Sequence, residues 1–120
     1  DPLFGPLVMV GLGGTLVELV RDVSVRITPL TDVDVDDMLA SLRTAPLLHG
    51  YRGAPPADVP ALRDVLFRIS ALVEDVPEVA ELDLNPLFVR PHGVVAVDAR
   101  LRVAPPHART QTRTTTSRTP

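Results

Sequence analysis

The chain has 120 residues, 45% of them apolar but only 3% aromatic, and a formal charge of −3. That is enough for one domain with a core of Val, Leu and Ala, and no tryptophan is present to stack a base or sugar. No run approaches the roughly 18–20 apolar residues of a membrane span, the start does not resemble a signal peptide, and the lack of cysteine rules out disulfides and thiolate metal sites and suits a cytoplasmic home.

The charge is unevenly spread. Residues 1–106 hold all 15 acids and nine arginines, whereas residues 107–120 add three arginines and no acid. An acidic domain argues against general nucleic-acid binding. Lysine is absent, so where a phosphate site would use lysine only arginine can serve.

The opening Asp1-Pro2-Leu3-Phe4 leads almost at once into a strand, so a further segment is expected ahead of Asp1. Leu7–Val10 reads as a first strand, Gly11–Gly14 as a turn and Thr15–Val20 as a second strand. Arg21-Asp22 turns the chain into a third strand, Ser24–Thr28, closed by Pro29. In it Val23, Val25 and Ile27 alternate with polar residues. Antiparallel pairing is the economical arrangement.

The stretch from Thr31 to Arg43 reads as a helix. Thr31 or Asp32 is its N-cap, acids fill the first turn, Arg43 sits near the end, and Met38, Leu39 and Leu42 form the buried stripe. A Gly- and Pro-rich loop follows. Asp58 caps a second helix with Pro60 in its first turn, and Leu62, Val65, Leu66, Ile69, Leu72 and Val73 keep helical spacing until Pro77. Two strands come last, joined by a turn at Pro91-His92-Gly93. The order predicts an α+β fold: an antiparallel sheet with two helices on one face, residues 1–104. Residues 105–120, rich in Thr, Arg and Pro, are expected to be a disordered tail.

The most suggestive stretch is Glu81-Leu82-Asp83-Leu84-Asn85-Pro86. On a strand Glu81, Asp83 and Asn85 share one face while Leu82 and Leu84 point to the core. If Pro91-His92 is the centre of the turn, Arg90 lies opposite Gly93 and Asn85 opposite Asp98. A bulge at Gly93 would turn Asp98 away. Oxygen donors without His or Cys suit Mg²⁺ or Mn²⁺ carrying nucleotide phosphates. The same pattern also suits a plain solvated sheet face.

Three stretches together, residues 1–30, Leu47–Asp58 and the pair Leu-Asp-Leu-Asn-Pro-Leu (82–87) with Val-Asp-Ala-Arg (97–100), resemble the C-terminal half of the ATP-grasp domain of nucleoside-diphosphate-forming acyl-CoA synthetases. That group includes ADP-forming acetyl-CoA synthetase and is related to the succinyl-CoA synthetase β subunit. Similar modules occur fused to GNAT-type acetyltransferases. The resemblance covers residues 1–104. It implies that Asn85 and Asp98 bind the Mg²⁺ of ATP or ADP, and that Asp83 helps to seat a phosphohistidine loop supplied by another domain. It also implies partners in cis or in trans: the N-terminal ATP-grasp half and the CoA-binding and phosphohistidine domains. The expected function is the Mg-nucleotide half of an acid–thiol ligase, incomplete as a catalyst alone. The alternative is a non-catalytic docking or regulatory remnant, for instance beside an acetyltransferase.

Other residues have two readings each. Gly11-Leu12-Gly13-Gly14-Thr15 lacks the Lys and the following helix of a phosphate loop and reads as a hairpin turn. Glu18 faces either the nucleotide cleft or an arginine, Arg21 or Arg26. Arg52 serves either loop structure or a phosphate. Arg100 shares the face of Asp98 and can pair with it or bind nucleotide phosphate. His49, His92 and His107 do not match a relay histidine.

Overall fold

Leu7–Gly11 forms β1 and Val23–Ile27 forms β2. They pair antiparallel, from Leu7 opposite Ile27 to Gly11 opposite Val23. The Leu12 N–H lengthens the ladder by donating to the Asp22 carbonyl at 2.9 Å. Gly11 is required by space: a Cβ there would sit 2.6 Å from Val23 Cγ1 and 2.8 Å from the Asp22 carbonyl. The structure is a computed structural model that describes residues 5–13 and 21–106. The expected strand Thr15–Val20 with Glu18, and the tail from His107 onward, lie outside the described residues.

The polar side of β2 is the covered one. Ser24 and Thr28 are buried beside Val8, while Leu7, Met9, Val23, Val25 and Ile27 form an exposed apolar face. Burial of the two hydroxyls is tolerated because both are bonded. Ser24 Oγ accepts from Ser41 Oγ at 3.1 Å, and Thr28 Oγ1 donates to Glu74 Oε1 at 2.6 Å.

Thr31 begins α1 (Asp32–Ser41) with a full capping box. Its hydroxyl accepts from Asp34 N–H at 3.1 Å, and its own N–H donates to Asp34 Oδ2 at 2.8 Å. Val35, Met38 and Leu39 are buried, and Leu42 just past the end joins them. The last turn carries no basic residue, contrary to the expectation for Arg43. The helix stops too soon, and the backbone N–H groups of Arg43 and Thr44 donate to the buried Asp22 carboxylate at 2.8 and 2.9 Å. A 3₁₀ turn, Ala45–His49, follows.

In α2 (Val59–Asp75) Asp58 is the N-cap, accepting from Ala61 N–H at 3.1 Å, and Pro60 lies in the first turn. Leu62 and Leu66 are buried, but the third buried position is Ser70, and Leu72 faces outward. Ser70 earns its place by accepting the Leu30 N–H at 2.9 Å, which ties the segment before α1 to the middle of α2.

The remaining strands are β3 (Val79–Leu84), β4 (Leu87–Val89), β5 (Val94–Ala96) and β6 (Ala99–Val103). β4 pairs with β5 and β3 with β6, both antiparallel, as one long hairpin. Pro86, lacking an N–H, interrupts the first arm after a cis Asn85–Pro86 peptide. The core lies between the helices and the inner faces of β1 and β4–β5. Val8, Leu30, Val35, Met38, Leu39, Leu62 and Leu66 form it, with Leu87, Val89 and Val94 against them. The fold is α+β with two helices and antiparallel strands, as expected. Among the described residues the strands form three two-stranded ladders rather than one continuous sheet.

Candidate functional site

The long hairpin keeps one register through its interruption. Leu87 lies opposite Ala96 and Leu84 opposite Ala99. Between them the Val97 N–H donates to the Pro86 carbonyl at 3.0 Å, and the Asn85 N–H to the Asp98 carbonyl at 3.1 Å. Asn85 therefore stands across from Asp98. No bulge forms at Gly93: the Arg90 N–H donates to its carbonyl at 3.0 Å. The register shift falls at the far end of the hairpin, between Val79 and Glu81.

Three rungs result. Glu81 faces Arg102, Asp83 faces Arg100, and Asn85 faces Asp98. Glu81, Asp83, Asn85 and Asp98 are all exposed, while Leu82 and Leu84 are half-buried, so the alternation of the strand is real. Two arginines thread the acidic face. Arg102 pairs with Glu81 at 3.4 Å, and Arg100 Nε lies 3.9 Å from Asp98 Oδ2. Both pairs are exposed, so they tune local potential more than stability.

A cleft of about 600 Å³ opens beside the first arm. Asp83 and Asn85 line it together with Gly11, Leu12, Gly13 and Phe88. The glycine-bearing end of β1 and the oxygen-bearing end of β3 thus border one space, which sequence spacing alone does not reveal. Asp98 and Arg100 stand on the neighbouring arm. Among the described residues no three His, Asp or Glu side chains gather closely enough to hold a metal. A cation here would draw on the Asn85 amide oxygen with one or two carboxylates, a hard-oxygen set of the kind that suits Mg²⁺ when phosphates and water complete the shell.

Arg52 has φ +52° in the loop before α2 and lays its guanidinium over the Tyr51 ring, 5.4 Å from the centroid. His49 is exposed on the 3₁₀ turn and His92 is exposed in the β4–β5 turn.

Two aspartates have larger roles than their sequence positions announce. Asp22 is buried, and the Thr44 hydroxyl bonds its carboxylate along with the two backbone donors already described. That hydroxyl first, and then the N–H groups of Arg43 and Thr44, hold the Asp22 carboxyl below its ordinary pKa against the opposing effect of burial. Asp58 Oδ2 accepts the Gly93 N–H at 2.6 Å besides capping α2 with Oδ1. The Gly93 and Ala61 N–H groups lower its carboxyl pKa in the same way. An Asp before a helix signals a cap, but nothing in the spacing signals its second partner, 35 residues on.

Residues 1–103 match the family model for the ATP-grasp domain. This chain belongs to the ATP-grasp family. It is 43% identical over 101 residues to the β subunit of ADP-forming acetate–CoA ligase I of Pyrococcus furiosus, with 84% of this chain and 44% of that subunit aligned. It is 45% identical over 93 residues to the ADP-forming 4-hydroxybutyrate–CoA ligase of Nitrosopumilus maritimus, covering 78% of this chain and 13% of that protein. The structure superposes with a TM-score of 0.83 and 45% identity on an acetyl-coenzyme A synthetase 1 of Ca. Korarchaeum cryptofilum, covering 87% of this chain and 49% of the other. That protein was solved with coenzyme A and Mg-AMPPCP, its phosphohistidine segment pointing towards the nucleotide site. The homologues of this ATP-grasp chain are thus ADP-forming acyl-CoA synthetases, and it spans less than half the length of those aligned here.

Proposed function

We propose that this chain is the half of an ATP-grasp domain that holds Mg²⁺ and the phosphates of ATP or ADP in an ADP-forming acyl-CoA synthetase. One observation supports this above the others: the hairpin register sets the Asn85 amide opposite Asp98, at the end of the face that carries Asp83 beside the glycine-bordered cleft. The Asn85 side chain and the Asp98 carboxylate would hold the cation. When bound, Mg²⁺ neutralises phosphate oxygens and fixes their geometry. Arg100, one rung away, supplies the positive charge that lysine supplies in other phosphate sites, and it is free to exchange its long contact with Asp98 for a phosphate. Asp83 meets the phosphohistidine segment of another domain. The exposed β1–β2 face is covered by the first half of the ATP-grasp domain, and the CoA-binding and phosphohistidine domains complete the ligase. The aligned relatives are named for acetate and for 4-hydroxybutyrate.

Mn²⁺ in place of Mg²⁺ tests the assignment. With ADP present, Mn²⁺ should broaden the amide resonances of Asn85, Asp98 and Arg100 more strongly than any others in the full chain. Broadening centred elsewhere would reject these ligands. A docking or regulatory module, the competing reading suggested by the apolar outer face, would show no ADP-dependent broadening even when joined to the other half.

A further inference from the structure

Asp58 sits at the junction of α2 and the hairpin that carries Asn85 and Asp98. Its Oδ1 caps the helix, its Oδ2 accepts the Gly93 N–H at 2.6 Å, and its own N–H donates to the Arg90 carbonyl at 2.6 Å. Both ends of the β4–β5 turn are thus bonded to one residue, the N-cap of the helix that buries Leu62 and Leu66 in the core. Gly93 is at φ +86°, a conformation that favours glycine.

The turn needs such an anchor. β4 and β5 are three residues each, and a two-stranded ribbon of that length is marginal by itself. From the turn the register carries unshifted, through the interruption at Pro86, to the candidate site. Arg90 bonds Gly93, three cross-strand pairs follow, Val97 bonds Pro86, and Asn85 bonds Asp98. Slipping the hairpin by one residue would turn Asp98 to the opposite face.

We propose that Asp58 is a positioning residue: by clamping the β4–β5 turn to the N-terminus of α2, it fixes the register that sets Asn85 against Asp98. This rests on the Mg-nucleotide reading only for its functional consequence, since the clamp itself is geometric. Asp58 touches neither cation nor nucleotide.

Asp58→Ser separates the two roles. Serine still caps α2 but is too short to reach Gly93. Thr31→Ala removes a cap far from the hairpin and serves as the control. In the full chain, amide exchange of Arg90, Gly93, Val97 and Asn85 should quicken at least about tenfold in Asp58→Ser and stay unchanged in Thr31→Ala. Affinity for Mg-ADP should fall about tenfold in Asp58→Ser alone, the scale on which supports of metal ligands act. Unchanged hairpin amides, or faster exchange confined to Ala61 and the start of α2, would overturn the clamp. Faster hairpin exchange with undiminished Mg-ADP binding would overturn its positioning role. If the parent chain binds no Mg-ADP even when joined to the first half of a relative's ATP-grasp domain, the functional reading fails on that count, and the exchange pattern alone decides the clamp.

Discussion

Asp22 shows how much of this fold hangs on single carboxylates. It sits where β2 begins, and it gathers the first residues after α1 through two backbone donors and the Thr44 hydroxyl. Asp34 and Asp58 do similar work at the starts of α1 and α2. All three carboxyls are held below their ordinary pKa: Asp22 by Thr44, Asp34 by the Thr31 N–H and hydroxyl, and Asp58 by Gly93 and Ala61. A group whose folded pKa is depressed contributes stability above its unfolded value, roughly 3.9, and loses it as pH falls through the folded value. The chain should therefore keep its denaturant midpoint from neutral pH down to about 5 and lose it steadily below about 4. Circular dichroism during urea unfolding across that range measures this. Asp22→Asn should be less stable at neutral pH and show a shallower acid loss. An identical acid profile would remove Asp22 from the explanation.

At the scale of elements, the helices were legible in the sequence and the strand faces only in part. Thr31, Asp58 and Pro60 mark the helix starts, and Met38, Leu39, Leu62 and Leu66 mark the buried sides, because caps and 3.6-residue spacing are local signals. Met38 is fully buried, so Met38→Ala should cost about 2–5 kcal/mol in chemical denaturation, whereas truncating exposed Leu72 should cost far less. Ser70 and Leu72 departed from the expected stripe because a long-range bond from Leu30 fills the inward position. In β2 the alternation of Val23, Val25 and Ile27 signals a strand, yet it does not say which side the helices cover. They cover Ser24 and Thr28, whose partners Ser41 and Glu74 are distant in sequence. The hairpin register was legible from the turn residues Pro91-His92-Gly93. The cleft was not, since it forms where β1 and β3, some seventy residues apart, border the same space.

For the molecule as a whole, the outer face of β1–β2 is the feature that calls for company. Leu7, Met9, Val23, Val25 and Ile27 are cross-strand neighbours on one exposed surface. The chain also spans less than half of the relatives aligned with it. Apolar faces of this kind associate in water. Light scattering should find higher-mass species as concentration rises. Met9→Ser with Val25→Thr should reduce them with little loss of fold, and a strictly monomeric parent chain would contradict this. The most direct test of the Mg-nucleotide assignment is a calorimetric titration of Mg-ADP into the chain joined to the first half of a relative's ATP-grasp domain. It should be run beside the same protein carrying Asn85→Ala and Asp98→Ala. Saturable, Mg²⁺-dependent binding that the double substitution abolishes is the predicted result. Binding that survives the double substitution, or that is missing from the intact folded protein, would contradict it.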